Sequence, residues 1–161
     1  MQIKFGTNAK PESVTEYSIK VLEDILTAAT LSSCTISSTA RTPKDQARVM
    51  YNNIVATGVA AQKKLYAAAG DEVIDEYVRA KLENKSPAEI KAAMEAKINQ
   101  LGPTKVSHHA ADPKVLCVFD VAPSSIGNKQ RFEKAVRADK RVSKFLLPPQ
   151  DPGYHLEVPQ P

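Results

Sequence analysis

Three histidines, His108, His109 and His155, are the whole imidazole complement of this chain, and each stands next to a predicted strand end. Ser107-His108-His109 forms a polar loop just before the apolar run Val115-Leu116-Cys117-Val118-Phe119-Asp120-Val121. Asp120 interrupts that run near its end, and a lone carboxylate is costly to bury unless it is paired or binds something. His155 opens the last predicted strand. Glu157 follows it by two and therefore shares its face. Two imidazoles and one carboxylate, with a fourth position left open, form the ligand set of a catalytic zinc site. The same residues also admit a plainer reading, in which Asp120 caps a turn and the histidines are ordinary loop residues. Spacing alone leaves both open.

The elements that would position these side chains can be read from periodicity. Apolar residues recur at helical spacing from Pro11 to about Leu31, through Val14, Tyr17, Val21, Leu22, Ile25 and Leu26. Cys34 to Ser38 is strand-like. Thr42, Pro43 and Asp45 make an N-cap, first-position proline and first-turn acid for a helix through Val49, Met50 and Ile54. Residues 59–101 read as almost wholly helical, broken at Gly70-Asp71 and at the capping box Ser86-Pro87-Ala88-Glu89, and ended by Leu101-Gly102-Pro103. This stretch is either a helical hairpin or lid, or a plain packing appendage. Beyond it, Val115–Val121 reads as a buried strand and Asn128–Asp139 as a short amphipathic helix. Val142–Leu147 and Tyr154–Val158 are two further strands. The expected fold class is α+β, a small and mostly antiparallel sheet with flanking helices, in one domain over 1–161 with a helical insertion at about 59–101.

The 161 residues suit one domain, and 42% hydrophobic with 25% charged residues suits a chain that buries one core. Collagen-like, wholly disordered and disulfide-scaffolded classes are excluded. Cys34 and Cys117 are too few for a disulfide framework and, lying in apolar stretches, are expected as buried free thiols. No apolar run approaches the roughly 20 residues of a membrane-spanning helix, so no membrane insertion is expected. The start Met1-Gln2-Ile3-Lys4-Phe5-Gly6 lacks the order of a signal peptide. The net charge of +4 favours anionic partners without selecting one, and no dense Lys/Arg run points to nucleic acid.

Ser107-His108-His109 followed by Val118-Phe119-Asp120 resembles the S-x-H-x-x-G-x-A-x-D motif of the zinc D-alanyl-D-alanine peptidases. That family includes the vancomycin-resistance D,D-peptidases and phage L-alanyl-D-glutamate endolysins, and shares its fold with the Hedgehog signalling domain. Tyr154-His155-Leu156-Glu157 is similar to the family's closing W-H-x-E stretch. Ile36-Ser37-Ser38-Thr39-Ala40-Arg41-Thr42-Pro43 resembles its S-G-x-R-[ST]-P segment, with Gln46 where the family often has a glutamine. The segments keep the family's order, touch about a third of the chain and leave 59–101 unmatched. Two departures stand out: the loop between His109 and Val118 is longer and lacks the glycine, and Pro152 occupies the family's acidic position, with Asp151 one residue before it.

The resemblance implies a Zn2+ held by His109, Asp120 and His155, with His108 as a possible substitute for His109 or a hydrogen-bond donor to the reacting group. It implies hydrolysis of peptidoglycan stem peptides by a metal-activated water, as a D,D-carboxypeptidase or an endopeptidase. Asp151 is the expected catalytic base from the family's order. Glu157 is the second candidate, or else an orienting partner of an imidazole. Arg41 would bind the substrate's carbonyl oxygen or terminal carboxylate, and Gln46 and Ser107 complete the binding residues, Ser107 more as a loop brace than as a nucleophile. Such a protein, made in the cytoplasm, would reach the wall after release or specialised secretion. A non-catalytic, metal-stabilised Hedgehog-like binding module or phage structural module is the alternative. A helical nucleic-acid binder built on 59–101 is a third reading, which requires the histidines to be coincidental.

Overall fold

The computed structural model describes residues 1–161. In chain order the elements are β1 (Gln2–Phe5), α1 (Glu16–Ala28), β2 (Ser33–Ser38), α2 (Pro43–Thr57), α3 (Val59–Lys63), α4 (Ala68–Leu82), α5 (Pro87–Leu101), α6 (Pro103–Val106), β3 (Leu116–Val121), α7 (Lys129–Ala138), β4 (Lys144–Leu146) and β5 (Tyr154–Pro159). They fall into two compact units, Met1–Ala40 with Ala111–Pro161, and Arg41–Ala110. The class is α+β. No helix is long and apolar enough to cross a membrane.

The first unit is built on an open five-stranded sheet of order β1-β2-β3-β5-β4. Only β1 and β2 run parallel; the other three pairings are antiparallel. Alternation along β3 and β5 sorts the side chains onto two faces. Cys117, Phe119 and Val121 lie opposite Val158, Leu156 and Tyr154, and all six join the core with Val21, Leu22, Ile25 and Leu26 of α1 and Phe132 and Val136 of α7. The intervening positions pair Asp120 with His155 and Val118 with Glu157. The sheet thus has an apolar face for two helices and, on its reverse, a row of ionisable residues.

The second unit is helical. Thr42 caps α2 by accepting the Asp45 N–H, and α5 opens on the full capping box, Ser86 accepting from Glu89 N–H while Glu89 accepts from Ser86 N–H. These caps satisfy backbone donors that a helix start otherwise leaves unpaired. Met50 and Ile54 of α2, Val73, Ile74 and Tyr77 of α4, and Ile90, Met94 and Ile98 of α5 form a core of its own.

The structure departs from the expected elements in four places. Gly70 does not break the helical run. It is the third residue of α4, and the interruption falls instead between Lys63 and Ala68. The helix expected from Pro11 is a single 3-10 turn at Pro11–Ser13 and then α1, because Thr15 takes the extended cap conformation and accepts the Ser18 N–H. β1 was not expected at all; four residues at a sheet edge carry too little pattern to read. The strand expected over 142–147 shrinks to Lys144–Leu146, because the Val142 N–H is drawn back to the Asp139 carbonyl.

Candidate metal centre

The site begins with the β3–β5 ladder. Pairing across the two strands sets Asp120 opposite His155, and both are almost fully buried, at 7% and 5% exposure. Asp120 Oδ1 lies 3.1 Å from His155 Nδ1. The other ring nitrogen, Nε2, lies 3.1 Å from Glu157 Oε1, whose carboxylate is in turn 3.7 Å from Lys144 Nζ on β4. Asp151 arrives from the turn before β5, its Oδ2 3.9 Å from the same Nδ1 edge that Asp120 faces. Its other oxygen accepts the Gly153 N–H at 3.0 Å, which closes a tight Asx turn. Gly153 has no side chain for a spatial reason: a Cβ there would sit 3.2 Å from Asp120 Cβ.

Burial would depress the basicity of His155, since it penalises the imidazolium. The hydrogen bonds from Asp120 and Glu157, with the charges of Asp120 and Asp151, outweigh it and raise the pKa above the ordinary value. Three carboxylates around one imidazole make a strongly cation-attracting point.

The second histidine comes from the turn after α6. Ser107 ends that helix, and a 3-10 turn over His108–Ala110 points the two histidines differently: His108 is exposed, His109 is 5% exposed. Ser107 Oγ accepts the His109 N–H at 3.3 Å, so Ser107 braces the turn. The Arg41 N–H donates to the His109 carbonyl at 2.6 Å and fixes the turn from the other side. His109, Asp120 and His155 each offer one ligand atom, and these atoms all lie within 4.8 Å of one another. The donor set fits a small divalent cation. Two imidazole nitrogens and one carboxylate oxygen are donors that a divalent transition-metal ion takes.

Arg41 and Gln46, predicted as binding residues, meet in the helical unit. Gln46 is fully buried; its Oε1 accepts from Arg41 Nη1 at 3.4 Å, and its Nε2 donates to the Tyr66 hydroxyl at 3.4 Å. Sequence reasoning passed over Tyr66 and Lys144. The spacing Tyr66-x-x-x-Gly70 was a readable signal for the first. Lys144 had none, because its relation to Glu157 depends on the β4–β5 pairing. The two cysteines are buried and free, and burial pushes the Cys34 thiol up to about 12.

Fold and site together define an α+β protein with a buried His-Asp-His group able to hold a metal ion. No family model, no curated protein and no solved structure matches the chain.

Proposed function

We propose that the protein is a zinc-dependent peptidase that hydrolyses peptidoglycan stem peptides, as a D,D-carboxypeptidase or an endopeptidase, on a scaffold of the Hedgehog/D,D-peptidase kind. The observation that carries the reading is the buried His109, Asp120 and His155 group with the Asp151 carboxylate beside His155 Nδ1. Peptidoglycan as substrate rests on the resemblance of residues 36–43, 107–120 and 154–157 to the zinc D-alanyl-D-alanine peptidases. A bound zinc supplies a Lewis acid and makes a water nucleophilic near neutral pH, its pKa falling to about 7.

The chain's own residues do the rest. Glu157, 3.1 Å from His155 Nε2, would accept the proton there and so hold the ring in the tautomer that presents the Nδ1 lone pair to a metal. Asp120 on the adjacent strand and His109 in its braced turn would be the other two ligands. Asp151, on the Nδ1 side and at the surface end of the cluster, takes the proton of the attacking water at Oδ2 and returns it to the leaving amine nitrogen. Arg41 binds the peptide's carbonyl oxygen or terminal carboxylate through its guanidinium.

A second reading, a non-catalytic module that metal merely stiffens, is favoured by one observation. Both ring nitrogens of His155 already face carboxylates, as a purely structural polar cluster requires. The deciding experiment quantifies zinc in the purified protein, incubates it with purified peptidoglycan and identifies products by mass spectrometry. Zinc at about one per chain with release of D-alanine or cleaved stem peptides is the expected result. Zinc without products selects the non-catalytic module, and neither zinc nor products overturns both.

A further inference from the structure

The positive charge of the chain is unevenly placed. Residues 129–144 hold seven of the 22 lysines and arginines but two of the 18 acidic residues, so this short segment carries a net +5 where the whole chain carries +4. Along the sequence these cations are interspersed with apolar and acidic residues, and α7 sorts them. Phe132 and Val136 turn into the core beneath the sheet, while Lys129, Arg131, Lys134 and Arg137 are exposed, and Lys140 is exposed just past the helix end. Arg131, Lys134 and Arg137 follow one another at intervals of three, the spacing of neighbours on a helix surface, and Lys140 continues the interval. Three residues turn a helix by about 300°, so the row climbs the exposed side of α7 as an inclined ridge.

Stability does not account for this ridge. Like charges on neighbouring positions of one helix face repel. The first turn of α7 carries Lys129 and Arg131 with no acid, although the positive end of the helix dipole favours an acid there. The carboxylates of the region are engaged elsewhere. Glu133 accepts the Tyr154 hydroxyl at 2.9 Å, Asp139 is held by Arg141, which also reaches Asp24, and Glu157 lies 3.7 Å from Lys144. Arg137 packs 5.5 Å from the centre of the Phe145 ring, a contact that places its guanidinium without neutralising it. Arg131, Lys134, Arg137 and Lys140 thus stand in a row with no carboxylate paired to any of them.

A row of cations is complementary to a chain of regularly spaced anions. The rest of the face narrows the kind of chain. α7 exposes no large apolar side chain to enter a bilayer and no aromatic ring on which a nucleobase could stack. A phosphodiester chain without bases, flexible enough to follow an inclined ridge, meets these terms. We infer that the Arg131-Lys134-Arg137-Lys140 ridge binds the polyol-phosphate polymer of a bacterial cell wall through successive phosphate groups. The wall as the source of that polymer rests on the peptidase reading, whereas the phosphate-binding ridge does not. Binding there holds the protein at the wall that contains its proposed substrate.

The test measures the affinity of the full-length protein for soluble poly(glycerol phosphate), which contains no peptide bond and cannot be consumed by the proposed hydrolysis. A flexible phosphodiester strand releases about 0.7 counterion per phosphate neutralised, so four contacts give log K against log salt a slope of about −3, a loss of about 50-fold between about 50 and 200 mM salt. Arg131→Gln with Lys134→Gln, which leaves the Arg137–Phe145 contact in place, halves that slope. Adding Arg137→Gln and Lys140→Gln weakens binding at the lower salt by about tenfold or more, with the circular-dichroism spectrum and cooperative melt retained. A control that removes the same charge from exposed lysines of the helical unit, Lys44→Gln, Lys64→Gln, Lys81→Gln and Lys105→Gln, binds within about twofold of the wild type. Equal weakening in the control makes net charge the cause and overturns the ridge, as does a wild type that fails to bind the polymer or binds it without salt dependence. Tighter binding of duplex DNA or of phosphatidylglycerol vesicles than of the polymer, at equal salt and phosphate concentration, overturns the choice of partner. A wild type that binds the polymer but cleaves no stem peptide overturns the peptidase reading and leaves the phosphate-binding ridge standing.

Discussion

On the proposed peptidase reading, the surroundings of His155 distinguish the two carboxylates that could serve as base. Glu157 meets Nε2 at 3.1 Å with Lys144 behind it, and is 5% exposed. Asp151 stands on the Nδ1 side and keeps about a quarter of its side chain open to solvent, at 23%. A base must reach both a water and a leaving group, which suits the more open residue; a buried carboxylate locked to an imidazole suits orientation. Asp151→Asn is therefore expected to abolish hydrolysis of wall fragments while keeping zinc and fold. Glu157→Gln should leave measurable hydrolysis and bind zinc about 10- to 100-fold more weakly. Zinc quantified in the samples assayed for hydrolysis checks both, and an active Asp151→Asn beside a dead, zinc-replete Glu157→Gln reverses the assignment.

Among the elements, α5 and α7 show how local chemistry is coupled to packing. The Ser86–Glu89 capping box sets the start of α5, whose Ile90, Met94 and Ile98 fill the helical core. Ser86→Ala should cost about 1 kcal/mol, read as a lower urea midpoint with unchanged slope. At the end of α7, Asp139 binds Arg141 through two oxygens, Oδ1 to Nε at 2.9 Å and Oδ2 to Nη2 at 2.6 Å, while Arg141 Nη1 reaches Asp24 of α1 at 3.1 Å. The Arg141 guanidinium holds the Asp139 carboxyl below its ordinary 3.8, against the opposing effect of burial. A depressed carboxylate contributes stability that is fully present above its unfolded pKa and lost as the pH falls through the folded one. Asp139→Asn should thus destabilise by about 1 kcal/mol at pH 7, a modest figure for a partly exposed pair. Its deficit should shrink as the pH drops below the ordinary carboxylate value, and urea titrations at pH 7 and pH 3 measure the difference.

For the whole molecule, metal binding and stability are linked by mass action. Zinc at about 100 times its dissociation constant should stabilise by about 2.7 kcal/mol, a rise in Tm of about 5–10 °C, reversed by a chelator. Asp120→Ala should abolish the rise, and an equal rise in that variant would remove Asp120 from the ligand set. Much of the fold could be read along the chain: the caps at Thr42 and Ser86, the buried strand that ends at Val121, the alternation that puts Glu157 on the face of His155, and the burial of both cysteines. These features are encoded within a few consecutive residues, because a cap or a period needs only its neighbours. What the chain alone left open depends on partners far away in sequence. The register that sets Asp120 against His155 joins residues 35 apart, and the inward turn of His109 rather than His108 depends on bonds to Ser107 and Arg41. The place of Gly70 inside α4 follows from the ring of Tyr66, and the pairing of β1 with β2 from a neighbouring strand that its own four residues do not specify. Residue types could therefore point to a group able to hold a metal ion, but only packing and strand register decide which nitrogen and which carboxylate stand together in it.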